Sequence, residues 1–167
     1  MRREMLWHWI VVVLCCFCVF GTTRIEGPSR SMSEKSKLID SYGDVRFNDE
    51  KARLDNFAVV LATEPPDAKG YIIGYGGSYR ARKCHGLARG NRARRWLVEM
   101  RTIDARRVIV VDGGFRDTPA TELWLVRNGE EIPKPSETVA RKSVRFSGPS
   151  LCGPAGRSYE RAIFSSP

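Results

Sequence analysis

The sequence predicts one small α/β domain of the α+β kind, ordered β-α-β-α-β-β, in which a mixed sheet is covered by two helices. Three observations predict it. Two segments carry apolar residues at i, i+3, i+4, i+7, the period of one face of an amphipathic helix. They are Leu54, Phe57, Ala58, Leu61 and Ala93, Trp96, Leu97, Met100. Short β-branched or aromatic runs lie between and after them, Val108-Ile109-Val110-Val111 above all. Helices that alternate with strands argue for one sheet layered by helices. The chain has 167 residues, 42% of them hydrophobic, which allows one packed core and some tails. No internal repeat is evident.

The elements follow in order. Lys37 to Phe47 supplies a first strand through Leu38, Ile39, Tyr42 and Val45, with a turn at Gly43. Asn48 suits a helix N-cap, and Asp49 and Glu50 fall in the first turn, where the helix dipole favours acids. Pro65-Pro66 ends this helix. Gly70 to Tyr75 reads as a short buried strand, closed by a turn at Gly76-Gly77. A long basic stretch leads into the second helix, and Asp104 lies in the turn beyond it. Val108–Val111 is the third strand, punctuated by Asp112-Gly113-Gly114, and Thr121 to Val126 is the last. The domain is therefore expected at 37–127. A Ser/Gly/Lys/Glu-rich linker at 22–36 precedes it. Residues 128–167 follow as a Pro/Ser/basic tail, expected to be largely disordered, with Arg161-Ala162-Ile163-Phe164 able to dock.

The N-terminus has the layout of a secretory signal. Arg2-Arg3 form a positive start, Leu6 to Phe20 an apolar run, and Gly21-Thr22-Thr23 a small, uncharged end. Val19 and Gly21 suit the positions before a cut at Thr22. The alternative is an uncleaved anchor at residues 6–21, although the run is short for a bilayer span, which needs about 20 apolar residues. Export to the periplasm or cell envelope is the expectation. A cut at Thr22 removes Arg2, Arg3 and Glu4 and leaves a net charge of +8 of the full chain's +9. It also removes three of the five cysteines. Cys84 and Cys152 remain, and in an oxidising compartment they can pair; the alternative is a free tail thiol. Neither has the spacing of a metal site, and no cofactor motif is present, so neither metal nor cofactor is expected.

The charge is concentrated. No acidic residue lies between Asp67 and Glu99, while Lys69, Arg80, Arg82, Lys83, Arg89, Arg92, Arg94 and Arg95 do. Such a loop and helix attract anions, and an arginine fork matches a carboxylate or phosphate. The plainer alternative is a solvated face that only aids solubility. Tyr75 and Tyr79 border the stretch as stacking residues would, or as strand-edge packing. Gly74-Tyr75-Gly76-Gly77 fails as a phosphate loop, because no Gly-Lys-Ser/Thr follows and no helix starts at once. Asp112 lacks a partner His or carboxylate nearby in sequence. Cys84-His85 is a nucleophile-base pair in composition only, since adjacent residues rarely have that geometry.

Residues from about 38 to 126 resemble the OmpA-like C-terminal domain, a periplasmic module that tethers outer-membrane proteins to peptidoglycan. Tyr71-Ile72-Ile73-Gly74-Tyr75-Gly76-Gly77 is similar to the family strand that ends in Gly-His-Thr-Asp. Arg89 to Met100 is similar to the helix with an Arg-Ala step that ends in Tyr-Leu. Thr102 to Val108 is similar to its Gly-Ile-Asp-x-x-Arg-Ile turn. The chain also resembles uncharacterised exported bacterial proteins with LDNFA, GYII-YGG, DGG and ELW strings. The resemblance implies an Asp and an Arg that hold the diaminopimelate of the stem peptide. The Asp position falls on Gly77. The Arg position falls on Arg89 if Trp96 is set on the family's Tyr, and on Arg92 if the Arg-Ala steps are matched.

The expected function is a non-catalytic envelope module that binds peptidoglycan or another anionic envelope polymer. Arg80, Arg82, Arg89 and Arg92, with Gly77 beside them, are its candidate ligand-binding residues. An interaction or structural module that kept the fold without the ligand, with an envelope protein as partner, is the alternative. A small hydrolase resting on Cys84, His85 and Asp112 is a third. The export signal disfavours nucleic acid, and membrane contact is expected only through the N-terminal segment.

Overall fold

The computed structural model describes residues 35–153 and Arg157. The signal at 1–21, nearly all of the linker and the Arg161–Phe164 segment lie outside these residues. The order is β-α-β-α-β-β: β1 (Lys37–Tyr42), α1 (Phe47–Thr63), β2 (Lys69–Gly77), α2 (His85–Arg95), β3 (Val108–Arg116) and β4 (Ala120–Val126). The fold is α+β, a four-stranded mixed sheet with two helices. Its strand order is β1-β4-β2-β3. β2 pairs in parallel with β3 and antiparallel with β4, and β4 pairs antiparallel with β1. The parallel pair needs a crossover, and α2 supplies it.

The periodicity of α1 is realised. Leu54, Phe57, Ala58 and Leu61 are buried against Ile72, Leu123 and Leu125 of the sheet and Ala93 and Leu97 of the second helix. The helix starts two residues earlier than the cap at Asn48 predicts. Arg46 is its N-cap, and no side chain caps it. Glu50 does not face water at the helix start: it is buried and accepts a hydrogen bond from the Tyr42 hydroxyl.

Helix α2 lies on the sheet at backbone contact. A Cβ on Gly74 of β2 would meet the Gly86 carbonyl oxygen at 2.1 Å, and one on Gly90 would meet Val110 Cγ1 at 2.5 Å. No larger residue fits this approach. Residues Trp96–Met100 continue α2 as a π-helical turn. Its wider winding keeps Trp96 and Leu97 buried and carries Met100 off the apolar face into solvent.

Two glycine-rich stretches differ from the expected turns. β2 runs on through Gly76-Gly77, and β3 runs on through Asp112-Gly113-Gly114. The register passes from Gly74↔Asp112 to Gly76↔Phe115, so Gly113 and Gly114 oppose Tyr75 alone. This is a bulge. Gly113 lies where a Cβ would meet the Tyr75 ring at 2.5 Å, and Gly114 has φ +80°.

The segment after β4 differs from the expected disordered tail over residues 128–153. Isolated bridges join Lys35 to Glu131, Phe115 to Val139 and Ala81 to Phe146. Val144 is buried with Phe115 and Ala81 in a second small core, and Leu151 is buried as well. Cys152 is bonded to Cys84, with 5.3 Å between their Cα atoms. A composition short of apolar residues conceals this docking, because single apolar residues and one covalent bond carry it. The disulfide-closed domain fits an oxidising, extracytoplasmic compartment. No helix among the described residues is long and apolar enough to cross a membrane.

Candidate functional site

The basic stretch divides into an inward part and an outward part. Arg89 and Arg92 stand on the same side of α2 as Ala93 and Trp96, so the helix turns them inward. Arg89 is 1% exposed. Its guanidinium donates to the Gly43 carbonyl oxygen at 2.7 Å, to Asp44 Oδ1 at 3.1 Å and to the Thr121 hydroxyl at 3.4 Å. Arg92 is buried and ion-paired with Glu50. These two arginines thus join α2 to α1 and to the turn after β1. The expectation that they line an exposed binding helix is corrected here. An arginine whose forks are taken up inside the fold offers no free face to a polymer.

Gly77 stands at the end of β2, buried against Pro119. A Cβ there would meet Pro119 Cδ at 2.7 Å, so a carboxylate does not fit without movement of that proline. Tyr75 is also closed off. It is fully buried, with the Arg116 guanidinium 3.5 Å from its ring centre, and its hydroxyl donates to Glu122. Glu122 takes further hydrogen bonds from Arg116 and Trp124. This cluster ties β2, β3 and β4 together on the sheet face away from the helix core.

The outward part is the loop of residues 78–84. Arg80 and Lys83 are exposed and Arg82 half-buried, and none forms an ion pair among the described residues. Tyr79 is 79% exposed, with the Arg80 guanidinium 5.4 Å from its ring centre. Arg80 has φ +48°, in the left-handed region that disfavours a residue with a Cβ. Beside this loop runs the strap of residues 139–152. Ser147 N–H donates to the Ala81 carbonyl oxygen at 3.1 Å, and Leu151 N–H to that of Lys83 at 2.9 Å. Lys83 Nζ lies 5.9 Å from the Phe146 ring centre. The strap brings exposed Arg141, Lys142 and Arg145 to the same part of the molecule. Their sequence signal is the absence of any acid between Glu137 and Glu160, together with a cysteine able to pair with the basic loop.

The residues with catalytic potential are placed as follows. Cys84 is in the disulfide and has no thiolate to attack with. His85 opens α2; burial, with Arg89 and Arg82 nearby, lowers its pKa to about 4, so it is neutral at pH 7. Asp112 Oδ1 accepts from the Gly114 N–H at 3.2 Å, a bond that shapes the bulge. No group of three His, Cys, Asp or Glu able to hold a metal ion occurs among the described residues. Two open cavities lie among the described residues. One of about 410 Å³ is lined by Glu122, Trp124, Ile132 and Lys134, and one of about 610 Å³ by Asp67, Asp104, Arg106 and Arg107. Neither adjoins the basic loop in its lining. No family model, curated protein or solved structure matches the chain.

Proposed function

We propose that this chain is a non-catalytic cell-envelope module that binds peptidoglycan or another anionic envelope polymer through its basic loop. The observation that carries the reading is the outward loop: Arg80, Arg82 and Lys83, without an ion-pair partner among the described residues, beside the open ring of Tyr79. Oxyanions along a glycan complement such cations, and a sugar ring can lie on the tyrosine. The signal-like N-terminus and the disulfide support an exported, periplasmic or envelope location. The β-α-β-α-β-β order is the one that the OmpA-like resemblance implies. The family's ligand pair is not carried over with it, since Gly77 replaces the Asp and Arg89 is taken up by Gly43, Asp44 and Thr121.

The test is sedimentation of the full, oxidised chain with purified sacculi at low and high salt. Salt-sensitive co-sedimentation is the expected result. A chain that stays in the supernatant overturns the reading. The second reading, an interaction or structural module that kept the fold without the ligand, then stands on the internal use of Arg89 and on Pro119 packed against Gly77.

A further inference from the structure

We infer that the binding surface is bipartite, and that Arg80 of the loop and Arg145 of the strap clasp one oxyanion of an acidic glycan between them. The inference rests on the proposed function and names the site within it. The bridge between Ala81 and Phe146 is parallel, so the residues just before it on the two segments are Arg80 and Arg145. Both are exposed, and neither forms an ion pair among the described residues. Ala81 and Val144 beneath them are buried with Phe115, which anchors both backbones. Two backbone hydrogen bonds and the Cys84–Cys152 bond then hold the segments side by side.

Like charges set next to each other across paired strands oppose the pairing. The fold keeps the two backbones paired at Ala81 and Phe146 nonetheless, and neither segment contains an Asp or Glu to relieve the repulsion. An oxyanion between the two guanidinium groups supplies that relief. Lys83, Arg141 and Lys142 extend the same field, which suits a chain of repeating charges better than a single small anion. Tyr79 and Phe146, both exposed, lie on the two halves and provide apolar faces for sugar rings. The left-handed backbone at Arg80 is local strain of the kind that gathers at ligand clamps. The oxyanion comes either from stem-peptide carboxylates or from phosphodiesters linked to the wall.

The experiment uses the full, oxidised chain with sacculi, intact and stripped of phosphodiester-linked polymer. Binding kept on stripped sacculi assigns the carboxylate source, and binding lost assigns the phosphodiester. Arg80→Ala and Arg145→Ala should each weaken binding about tenfold, as loss of a charge-assisted contact does. The double variant should lose little more than either, because a shared oxyanion couples the two. Lys37→Ala/Lys69→Ala removes the same charge elsewhere and should cost less than about threefold. Arg145→Glu is the separating variant: it creates an ion pair with Arg80, so it should raise the unfolding temperature while it abolishes co-sedimentation. A loss in the lysine control equal to that in the arginine double variant overturns the clasp in favour of net charge alone. Binding indifferent to Arg145 sinks this inference and leaves the proposed function standing; no binding by the wild type sinks both. Displacement by a single-stranded oligonucleotide at matching affinity overturns the choice of a glycan.

Discussion

Glu50 and Arg92 meet in the interior where α1 and α2 approach the end of β1, and Tyr42 donates its hydroxyl to the same carboxylate. Burial, with Glu50 next to it, holds the Tyr42 phenol far above its ordinary pKa, so the hydroxyl stays a donor at any physiological pH. A buried pair of this kind adds little net stability, but breaking one partner leaves a charge without water or counter-ion. Glu50→Leu alone should therefore cost about 3–5 kcal/mol in urea unfolding, and Glu50→Leu/Arg92→Met should recover most of it. A binding arginine would behave otherwise, losing affinity at constant stability. His85 gives a second test. Its folded pKa, about 4, lies below the ordinary value of 6.5, so between those values the unfolded chain holds the extra proton. Stability from this group is complete above pH 6.5, falls as pH drops through the window, and levels off below pH 4. Once its partial exposure is discounted, the fall is about 2 kcal/mol or less. Urea titrations at pH 7 and pH 4.5 should show wild type losing more than His85→Asn; equal losses would show that His85 does not carry the linkage.

At the scale of elements, α2 is held by what its glycines lack. Gly86→Ala sets a methyl into the Gly74 carbonyl, a backbone group that cannot swing aside. Overpacking of this sort costs about 1–3 kcal/mol. Thermal unfolding should place Gly86→Ala well below wild type and Ala52→Gly, on the exposed face of α1, only about 1 kcal/mol below. Element order was legible in the sequence because Leu54, Phe57, Ala58, Leu61 and Val108–Val111 announce their periods in adjacent residues. The bulge was not, because Asp112-Gly113-Gly114 carries the same residues as a turn, and only the Tyr75 ring across the strand pair decides between them. The inward aim of the helix arginines is legible in the sequence. Arg89, Arg92, Ala93 and Trp96 stand at i, i+3, i+4, i+7, the same period that marked the apolar face. A charge on such a stripe implies a counter-charge at the same place: buried Glu50 provides it for Arg92, and Asp44, itself exposed, for Arg89. The strap was hidden for another reason. Val139, Val144 and Leu151 are spaced too irregularly to show a period, and what unites them lies on Ala81, Phe115 and Cys84, far away in the chain.

For the whole molecule, the decisive feature is the ring that the disulfide closes. Cys84 and Cys152 are 68 residues apart, and the ring includes α2, β3, β4 and the strap. Closing so long a loop restricts the unfolded chain, and the chain-entropy model puts the stabilisation at about 4 kcal/mol. The native side of the balance is local. Without the bond, the strap keeps the small Val144–Phe115–Ala81 core and three backbone hydrogen bonds, from Val139, Ser147 and Leu151, while the repulsion between Arg80 and Arg145 acts to open it. The sheet and the main core do not depend on it: Leu54, Phe57, Ile72 and Leu123 pack on one another whatever the strap does. Cys84→Ser/Cys152→Ser should therefore have two separable effects. Global stability in urea should fall by about 4 kcal/mol. Hydrogen exchange should also lose protection at the Ser147 and Leu151 amides, under conditions where the Ile72 and Leu123 amides of the central strands still exchange only through global unfolding. High salt should restore part of the strap's protection by screening the arginines, as the Debye length falls from about 10 Å at 0.1 M to about 3 Å at 1 M. Strap amides that stay as protected in the variant as in the oxidised wild type would mean that the apolar core alone seats the strap. The disulfide would then act only on the unfolded chain.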